Sequence, residues 1–213
     1  APERALPYFH LAQVAEASGE DKLALANLEG ALNHARPGDL VDGRPLAEVA
    51  RARRFDLLLK LASRSVKAGD WETALVHYEA AAAAAGPGRD RLTAKLGLAR
   101  AHQTLGRSAQ AVATLQGLLD DDSVRTLTVP IDDRQTVRAD IRITDLLNTI
   151  VKQSGRAAYA AYDARARELL RQAELEQNPR ALEEIDRTYP IAACLPEALL
   201  RLGRVRLEEG RAV

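Results

Sequence analysis

The hydrophobic positions of the first 125 residues recur with helical spacing, and glycines interrupt them at regular points. An apolar helix, a glycine turn and a second helix follow one another three times, with turn glycines at Gly19, Gly69 and Gly106. Each copy has a leucine eight residues before the glycine and a small residue five residues after it. Glycine can end a helix in the left-handed conformation, and small residues let two antiparallel helices approach closely. The pattern therefore predicts three stacked helix pairs.

The second copy, Leu58 to Pro87, carries the pattern most completely, with Ala62, the Gly69-Asp70-Trp71 turn, Ala74, Tyr78 and the closing proline in place. This pattern resembles the tetratricopeptide repeat, a unit of about 34 residues. The resemblance implies an all-α fold, in which antiparallel helix pairs form a right-handed superhelical solenoid. The expected repeats are residues 5–38, 55–88 and 92–125.

Extra residues separate the three copies. The longer insertion, residues 37–52, contains several turn formers and then the start of a lengthened helix near Leu46. The shorter one is the Gly86-Pro87-Gly88 segment. Glycine, proline and aspartate favour turns, so both insertions are expected to protrude as loops between helix pairs. The sequence does not indicate what the 37–52 insertion does.

Residues 126–195 have a less regular helical pattern. Residues 126–130 are expected to be extended, and Asp132 or Asp133 is expected to cap a helix that runs to about Gln153. The apolar face expected for it is Val137, Ile141, Leu147 and Ile150. Gly155 should break it before a helix that contains Tyr159, Tyr162, Ala166, Leu169, Leu170 and Ala173, and a short helix should run from Asn178-Pro179 to just before Pro190.

Residues 196–213 have the pattern of the first helix of a further repeat, with Gly210 in the turn position. The second helix of that repeat is missing, so the natural protein is expected to continue past Val213. The chain also begins without Met, at Ala1. We interpret the sequence as a piece of a longer protein.

A second resemblance covers about Asp133 to Gly210. The blocks Gly155–Tyr159 and Tyr162–Ala166, followed by Tyr189-Pro190, resemble the helical region of large bacterial multidomain proteins. In that family the helical region adjoins a quinoprotein-like β-propeller. The resemblance implies a bacterial chain with neighbouring domains. No propeller blade sequence is present, so no cofactor is expected here.

Composition and charge narrow the function classes. The chain has 40 Ala and 32 Leu against 8 aromatic residues, which favours helices over a sandwich or barrel. Its 30 basic and 30 acidic residues cancel, so no global field attracts nucleic acid or an anionic membrane. No apolar run approaches the roughly 20 residues of a membrane span. The domain is expected to be soluble, in either the cytoplasm or the periplasm.

No residue pattern indicates catalysis or a metal. The four histidines are at least 24 residues apart, and none has a histidine partner at helical spacing. The single cysteine, Cys194, lies between two prolines without a nearby histidine, and packing is the favoured role. Gly86-Pro87-Gly88 lacks the lysine and hydroxyl of a phosphate-binding loop. We therefore expect a non-catalytic protein without metal or cofactor.

Partner binding is the favoured function. In tetratricopeptide arrays the first helix of each pair lines the binding groove. The resemblance places the following residues there: Phe9, His10, Gln13 and Glu16; Asp56, Leu59, Lys60, Ser63 and Lys67; and Leu96, Arg100 and Gln103. Arg53 lies one turn earlier on the same face of the second copy's first helix. The family's carboxylate clamp is not reproduced.

Arg53, Lys60 and Lys67 are seven residues apart, so they share one helix face, and Arg100 could join them from the next pair. This basic stripe would favour an acidic or phosphorylated segment. An ordinary solvated helix face is the favoured interpretation of the stripe, and the acidic Asp56 within it supports that interpretation; a binding groove is the alternative. Binding candidates are Gln13, Arg53, Lys60, Ser63, Lys67, Arg100 and Gln103.

The favoured function is thus a protein-interaction scaffold that docks a partner peptide or domain. Three alternatives stay open: a structural spacer that positions a propeller-type neighbour, a helical-repeat nucleic-acid binder, and a regulatory or cofactor-carrying enzyme fragment. Trp71 and Tyr78 are expected to pack between helix pairs, and Tyr159 and Tyr162 in the core.

Overall fold

The alanine- and leucine-rich stretches between glycine turns fold into α-helices. The computed structural model describes residues 5–130, 135–208 and 210. Within these residues there are eleven α-helices and four short strands, and the strands form two separate hairpins. The predicted all-α helical-repeat class is confirmed. The chain divides into two compact units, residues 1–86 and 87–213.

The first unit contains two helix pairs joined by a short hairpin. Its elements are α1 (Ala5–Ala17), α2 (Asp21–His34), β1 (Leu40–Val41), β2 (Arg44–Pro45), α3 (Leu46–Lys67) and α4 (Trp71–Ala84).

Small residues lie where the helices of each pair approach. Ala12 of α1, Ala24 of α2, Ala62 of α3 and Ala74 of α4 are fully buried. Gly19 and Gly69 have φ angles of 76° and 77°, the left-handed conformation predicted for the turns. The leucine positions differ from the prediction, because Leu11 is 54% exposed while Phe9 takes the buried place on α1.

The 37–52 insertion is more ordered than a protruding loop. Asp42 and Gly43 both have positive φ, as a two-residue type I′ hairpin turn requires. The Asp39 carboxylate accepts a 2.8 Å hydrogen bond from the Arg36 N–H. Val41 packs against the core of the unit. The lengthened α3 begins at Leu46, as predicted.

The second unit begins with a helix pair and continues with shorter elements. These are α5 (Arg89–Thr104), α6 (Ser108–Leu119), α7 (Asp122–Arg125), β3 (Thr128–Pro130), β4 (Thr136–Arg138), α8 (Ala139–Ser154), a 3-10 turn (Arg156–Tyr159), α9 (Ala160–Glu176), α10 (Pro179–Thr188) and α11 (Leu195–Glu208).

Helix α8 starts later than predicted. Thr136–Arg138 pairs antiparallel with Thr128–Pro130, since β-branched residues suit a paired strand, and the helix begins only at Ala139. The expected cap residues, Asp132 and Asp133, lie outside the described residues. Of the expected apolar face, Leu147 and Ile150 are buried, whereas Ile141 is half exposed and Val137 belongs to the strand.

Two of the remaining boundaries follow the sequence signals, whereas Tyr159, expected in the helix after Gly155, lies in the 3-10 turn, and α9 begins only at Ala160. Gly155, with a φ of 84°, ends α8. The Asn178 side chain accepts a hydrogen bond from the Arg180 N–H and caps α10, which ends before Pro190. Among the aromatic residues, Tyr159 is fully buried and Tyr162 packs against the same cluster, so the core expectation is confirmed for this pair.

A buried polar bridge connects three elements of the second unit. The Tyr159 hydroxyl donates a 3.0 Å hydrogen bond to Gln116 Oε1, and Gln116 Nε2 donates to the Thr188 carbonyl. Gln116 is 1% exposed. The bridge therefore ties α6 to the 3-10 turn and to the end of α10.

Candidate functional site

A cleft of about 390 Å³ lies between α1 and α3 in the first unit. Glu16 of α1 forms one side, and α3 supplies the rest: Val49, Ala52, Arg53, Asp56, Leu57 and Lys60. The cleft exists because the two first helices of neighbouring pairs lie side by side. Its lining combines two basic and two acidic side chains with a small apolar floor.

Arg53 is fixed on one side of the cleft. Its Nε lies 3.1 Å from Glu16 Oε1 and 3.2 Å from Glu16 Oε2. Its guanidinium carbon also lies 5.8 Å from the centroid of the buried Phe9 ring. The pair joins residues 37 apart in sequence and is partly shielded from water. Such a pair orients the guanidinium more than it stabilises the fold.

Lys60 is held by an acidic residue of α2. Its Nζ lies 3.8 Å from Asp21 Oδ1, and the neighbouring Arg64 donates to the other carboxylate oxygen. The Asp21 side chain is only 11% exposed, whereas Lys60 is 49% exposed. The basic stripe predicted from the sequence is therefore partly neutralised within the unit, by Glu16 at one position and Asp21 at the next.

Ser63 and Lys67 lie further along α3 and are exposed. Neither lines the cleft. Lys67 makes no ion pair with any residue that the structure describes. Gln13 of α1 is half buried, and its Oε1 lies 3.2 Å from His10 Nδ1. Of the seven predicted binding residues, the cleft brings together Arg53 and Lys60.

The other two predicted residues belong to the second unit. Arg100 is exposed on α5. Gln103 donates a 2.9 Å hydrogen bond to Gln153 of α8, so its amide has a partner within the unit. That contact fits a structural role for Gln103 in joining α5 to α8.

Sequence reasoning missed Asp21 and Arg64. Asp21 is the first residue of α2, where the helix dipole favours an acidic residue. That position was the feature of the sequence that could have indicated Asp21. Its contact with α3 depends on how two helix pairs stack, which periodicity does not determine. Arg64 lies four residues after Lys60, so both can reach the same carboxylate.

Burial shifts the pKa values of two titratable side chains outside the cleft, Cys194 and His77. Burial raises the pKa of the Cys194 thiol, which opposes formation of a reactive thiolate. Burial lowers the pKa of His77, against a smaller opposing effect of Asp70. Within the described residues, no group of three or more His, Cys, Asp or Glu side chains is placed to hold a metal ion.

Arg156 and Asp163 form an ion pair with two hydrogen bonds, 2.8 and 2.6 Å, in the second unit. Burial tends to raise the pKa of the Asp163 carboxyl, but hydrogen bonds from Arg156 and the Ala193 N–H outweigh it and lower that pKa. Arg156 also donates to the Ile191 carbonyl. These contacts fasten the turn before α11 to α9.

Stacked helix pairs closed by left-handed glycines define an all-α helical-repeat protein. Residues 65–125 match the family described as tetratricopeptide repeat, which supports the resemblance seen in the sequence. The match runs from the last turn of α3 through α7. Searches of curated proteins and of solved structures gave no match. None of the described helices is long and apolar enough to cross a membrane.

Proposed function

We propose that the chain is a non-catalytic scaffold that docks a partner peptide or domain in the cleft between α1 and α3. A tetratricopeptide match indicates a protein-interaction role, since these repeats are typically interaction modules. The observation that carries the proposal is the cleft itself, where ion pairs hold charged side chains around an apolar floor. Side chains fixed before binding lose little entropy when a partner docks.

The partner segment would carry an acidic side chain next to an apolar one. Lys60 is half exposed in the cleft, and Lys67 is exposed about two turns further along α3, so separate acidic side chains of a docked segment can meet each lysine without breaking the pair between Arg53 and Glu16. Val49 and Leu57 offer the apolar contact. Asp56 faces the same cleft, which favours a segment that also carries a polar or basic group.

A pull-down from extract of the source cells tests this proposal. The bait is the 213-residue chain, compared with a Lys60→Gln/Lys67→Gln variant. Neutralising these two lysines leaves Arg53 with Glu16 and Arg64 with Asp21, so the fold is retained. The matched control is Lys22→Gln/Arg51→Gln, which removes the same charge from exposed positions outside the cleft.

We expect a partner that the wild type and the control capture and that the Lys60→Gln/Lys67→Gln variant, altered in the cleft and next to it on α3, loses. Equal capture by all three baits would move the docking site away from the cleft. Capture by none would contradict the docking proposal and favour a spacer that positions a neighbouring domain.

A further inference from the structure

A cavity of about 510 Å³ lies within the second unit, between the start of α8 and the end of α10. Its lining lies between Leu119 and Pro190, with α5 before it and α11 after it in the chain. The volume falls within the range of about 300–1,000 Å³ that is usual for ligand sites. The lining includes none of the seven binding residues predicted from the sequence, so this cavity is a second candidate site.

Part of the cavity lining is apolar. Leu119, at the end of α6, is 1% exposed and belongs to the core of the unit. Ile141 of α8 is 50% exposed, although helical spacing places it among the apolar residues of that helix. Pro190, two residues after α10, is half buried. Ile141 and Pro190 therefore offer an aliphatic surface that a ligand can cover.

Three arginines line the cavity, and each lies near a carboxylate of the same unit. Arg138 Nε and Nη2 donate to the two carboxylate oxygens of Asp140, at 3.2 Å and 2.5 Å. Arg125, whose side chain is 15% exposed, donates to Asp122. Arg187 Nη1 lies 3.7 Å from the same Asp122 oxygen. These two carboxylates offset much of the positive charge.

Two further carboxylates of the cavity have no such partner. Asp145 of α8 and Asp186 of α10 are exposed and make no ion pair with any residue that the structure describes. Together with Asp122 and Asp140, they make four carboxylates against three guanidiniums among the described side chains. The excess negative charge favours a cationic group, and the aliphatic surface beside it favours a cation on a carbon stem.

We propose that this cavity binds the arginine side chain of a partner segment. The guanidinium lies between Asp145 and Asp186, whose oxygens accept its N–H groups, and the aliphatic stem lies on Ile141 and Pro190. Arginine fits better than lysine, because its planar, weakly hydrated group can donate to two carboxylates at once. The site belongs to the second unit and does not depend on the cleft between α1 and α3.

Two tripeptide probes test this proposal: acetyl-Leu-Arg-Leu-amide and the same peptide with citrulline in place of arginine. Citrulline keeps the shape of the side chain and lacks its charge. The receptor is the full 213-residue chain, labelled with ¹⁵N. In ¹H–¹⁵N NMR titrations, the arginine peptide should cause saturable shifts of the backbone amides of residues 138–145 and 186–189. The citrulline peptide should bind roughly tenfold more weakly, because it cannot form charge-assisted hydrogen bonds.

Two charge variants should change the affinity in opposite directions. Asp145→Asn/Asp186→Asn should weaken binding of the arginine peptide roughly three- to tenfold. Arg187→Gln removes a competing cation and should strengthen binding about twofold, which a damaged fold could not do. The matched control, Glu79→Gln/Glu176→Gln, removes two carboxylates from exposed positions outside the cavity and should leave the affinity within about twofold of the wild type.

Four results would overturn the proposal. The arginine peptide could cause no saturable shifts, or the citrulline peptide could bind equally well. The Asp145→Asn/Asp186→Asn variant could bind the arginine peptide as tightly as the wild type, which would place the peptide elsewhere. Tighter binding of acetyl-Leu-Glu-Leu-amide at the same amides would assign the cavity to an acidic group instead.

Discussion

Removing the Tyr159 hydroxyl tests the buried bridge that joins α6, the 3-10 turn and α10. In Tyr159→Phe the ring still fills its site, but Gln116 Oε1 loses its 3.0 Å donor. Gln116 is 1% exposed and Tyr159 0%, so no water can replace the donor without a rearrangement. An unsatisfied buried acceptor costs about 1–3 kcal/mol, and we expect a loss of unfolding free energy in that range.

Tyr162→Phe is the control for this substitution. Tyr162 is half buried, its ring centroid is 5.3 Å from that of Tyr159, and its hydroxyl has no hydrogen bond to the described residues. Loss of the Tyr162 hydroxyl should change the free energy of unfolding by less than about 0.5 kcal/mol. The measurement is urea unfolding followed by far-UV circular dichroism. Equal midpoints for the two variants would refute the bridge as a stabilising contact.

Three further predictions concern single positions. Gly30→Ala should destabilise the first unit by about 1–2 kcal/mol in urea unfolding. The Cβ of the new alanine would lie 2.8 Å from the Tyr8 ring, and the better helix propensity of alanine offsets this clash only in part. The pKa of His77 is lowered in the fold, so the free energy of unfolding should be at its full value above pH 6.5 and should fall as the pH drops below it. In thermal unfolding measured at several pH values, His77→Gln should flatten this dependence. The pKa of Asp163 is lowered below 3.8, so the stabilisation that its carboxylate provides should persist above that pH and disappear as the pH falls below it. Asp163→Asn should remove this acid-sensitive part of the free energy of unfolding, in the same pH-dependent measurement.

The helix pairs could be predicted because their signals are local. A left-handed glycine, with a buried alanine seven residues before it and another five residues after it, marks a turn and a close helix crossing within about 20 residues. The division into repeats at 5–38, 55–88 and 92–125 stays a prediction. Leu118 stands where the pattern expects a small residue, yet it is fully buried in the core of the second unit.

Other features depend on contacts that sequence spacing does not encode. Leu11 fits the apolar pattern, but it is exposed because no helix of the described first unit covers that side of α1. The late start of α8 follows from pairing between β3 and β4, which competes with helix formation at Thr136–Arg138. Local propensity alone cannot decide that competition.

Only part of the candidate site could be read from the sequence. Helical periodicity puts Arg53 and Lys60 on one face of α3, and both line the cleft, whereas their role in binding stays a prediction. Their acidic partners, Glu16 and Asp21, come from residues 37 and 39 positions earlier, and only the stacking of helix pairs brings them close. A stripe that appears basic in the sequence therefore becomes a cleft of mixed charge.

Site-specific photocrosslinking measures the central claim most directly. A photoreactive amino acid is placed at exposed position 63, beside the cleft, and in a second variant at exposed position 51 of α3, outside the cleft lining. Crosslinking of both variants is compared in extract of the source cells. The proposal predicts that one partner protein is crosslinked from position 63 and not from position 51, and that Lys60→Gln/Lys67→Gln reduces the yield. Crosslinking from position 51 alone, or a yield at position 63 that the two lysines do not affect, would contradict docking in the α1–α3 cleft.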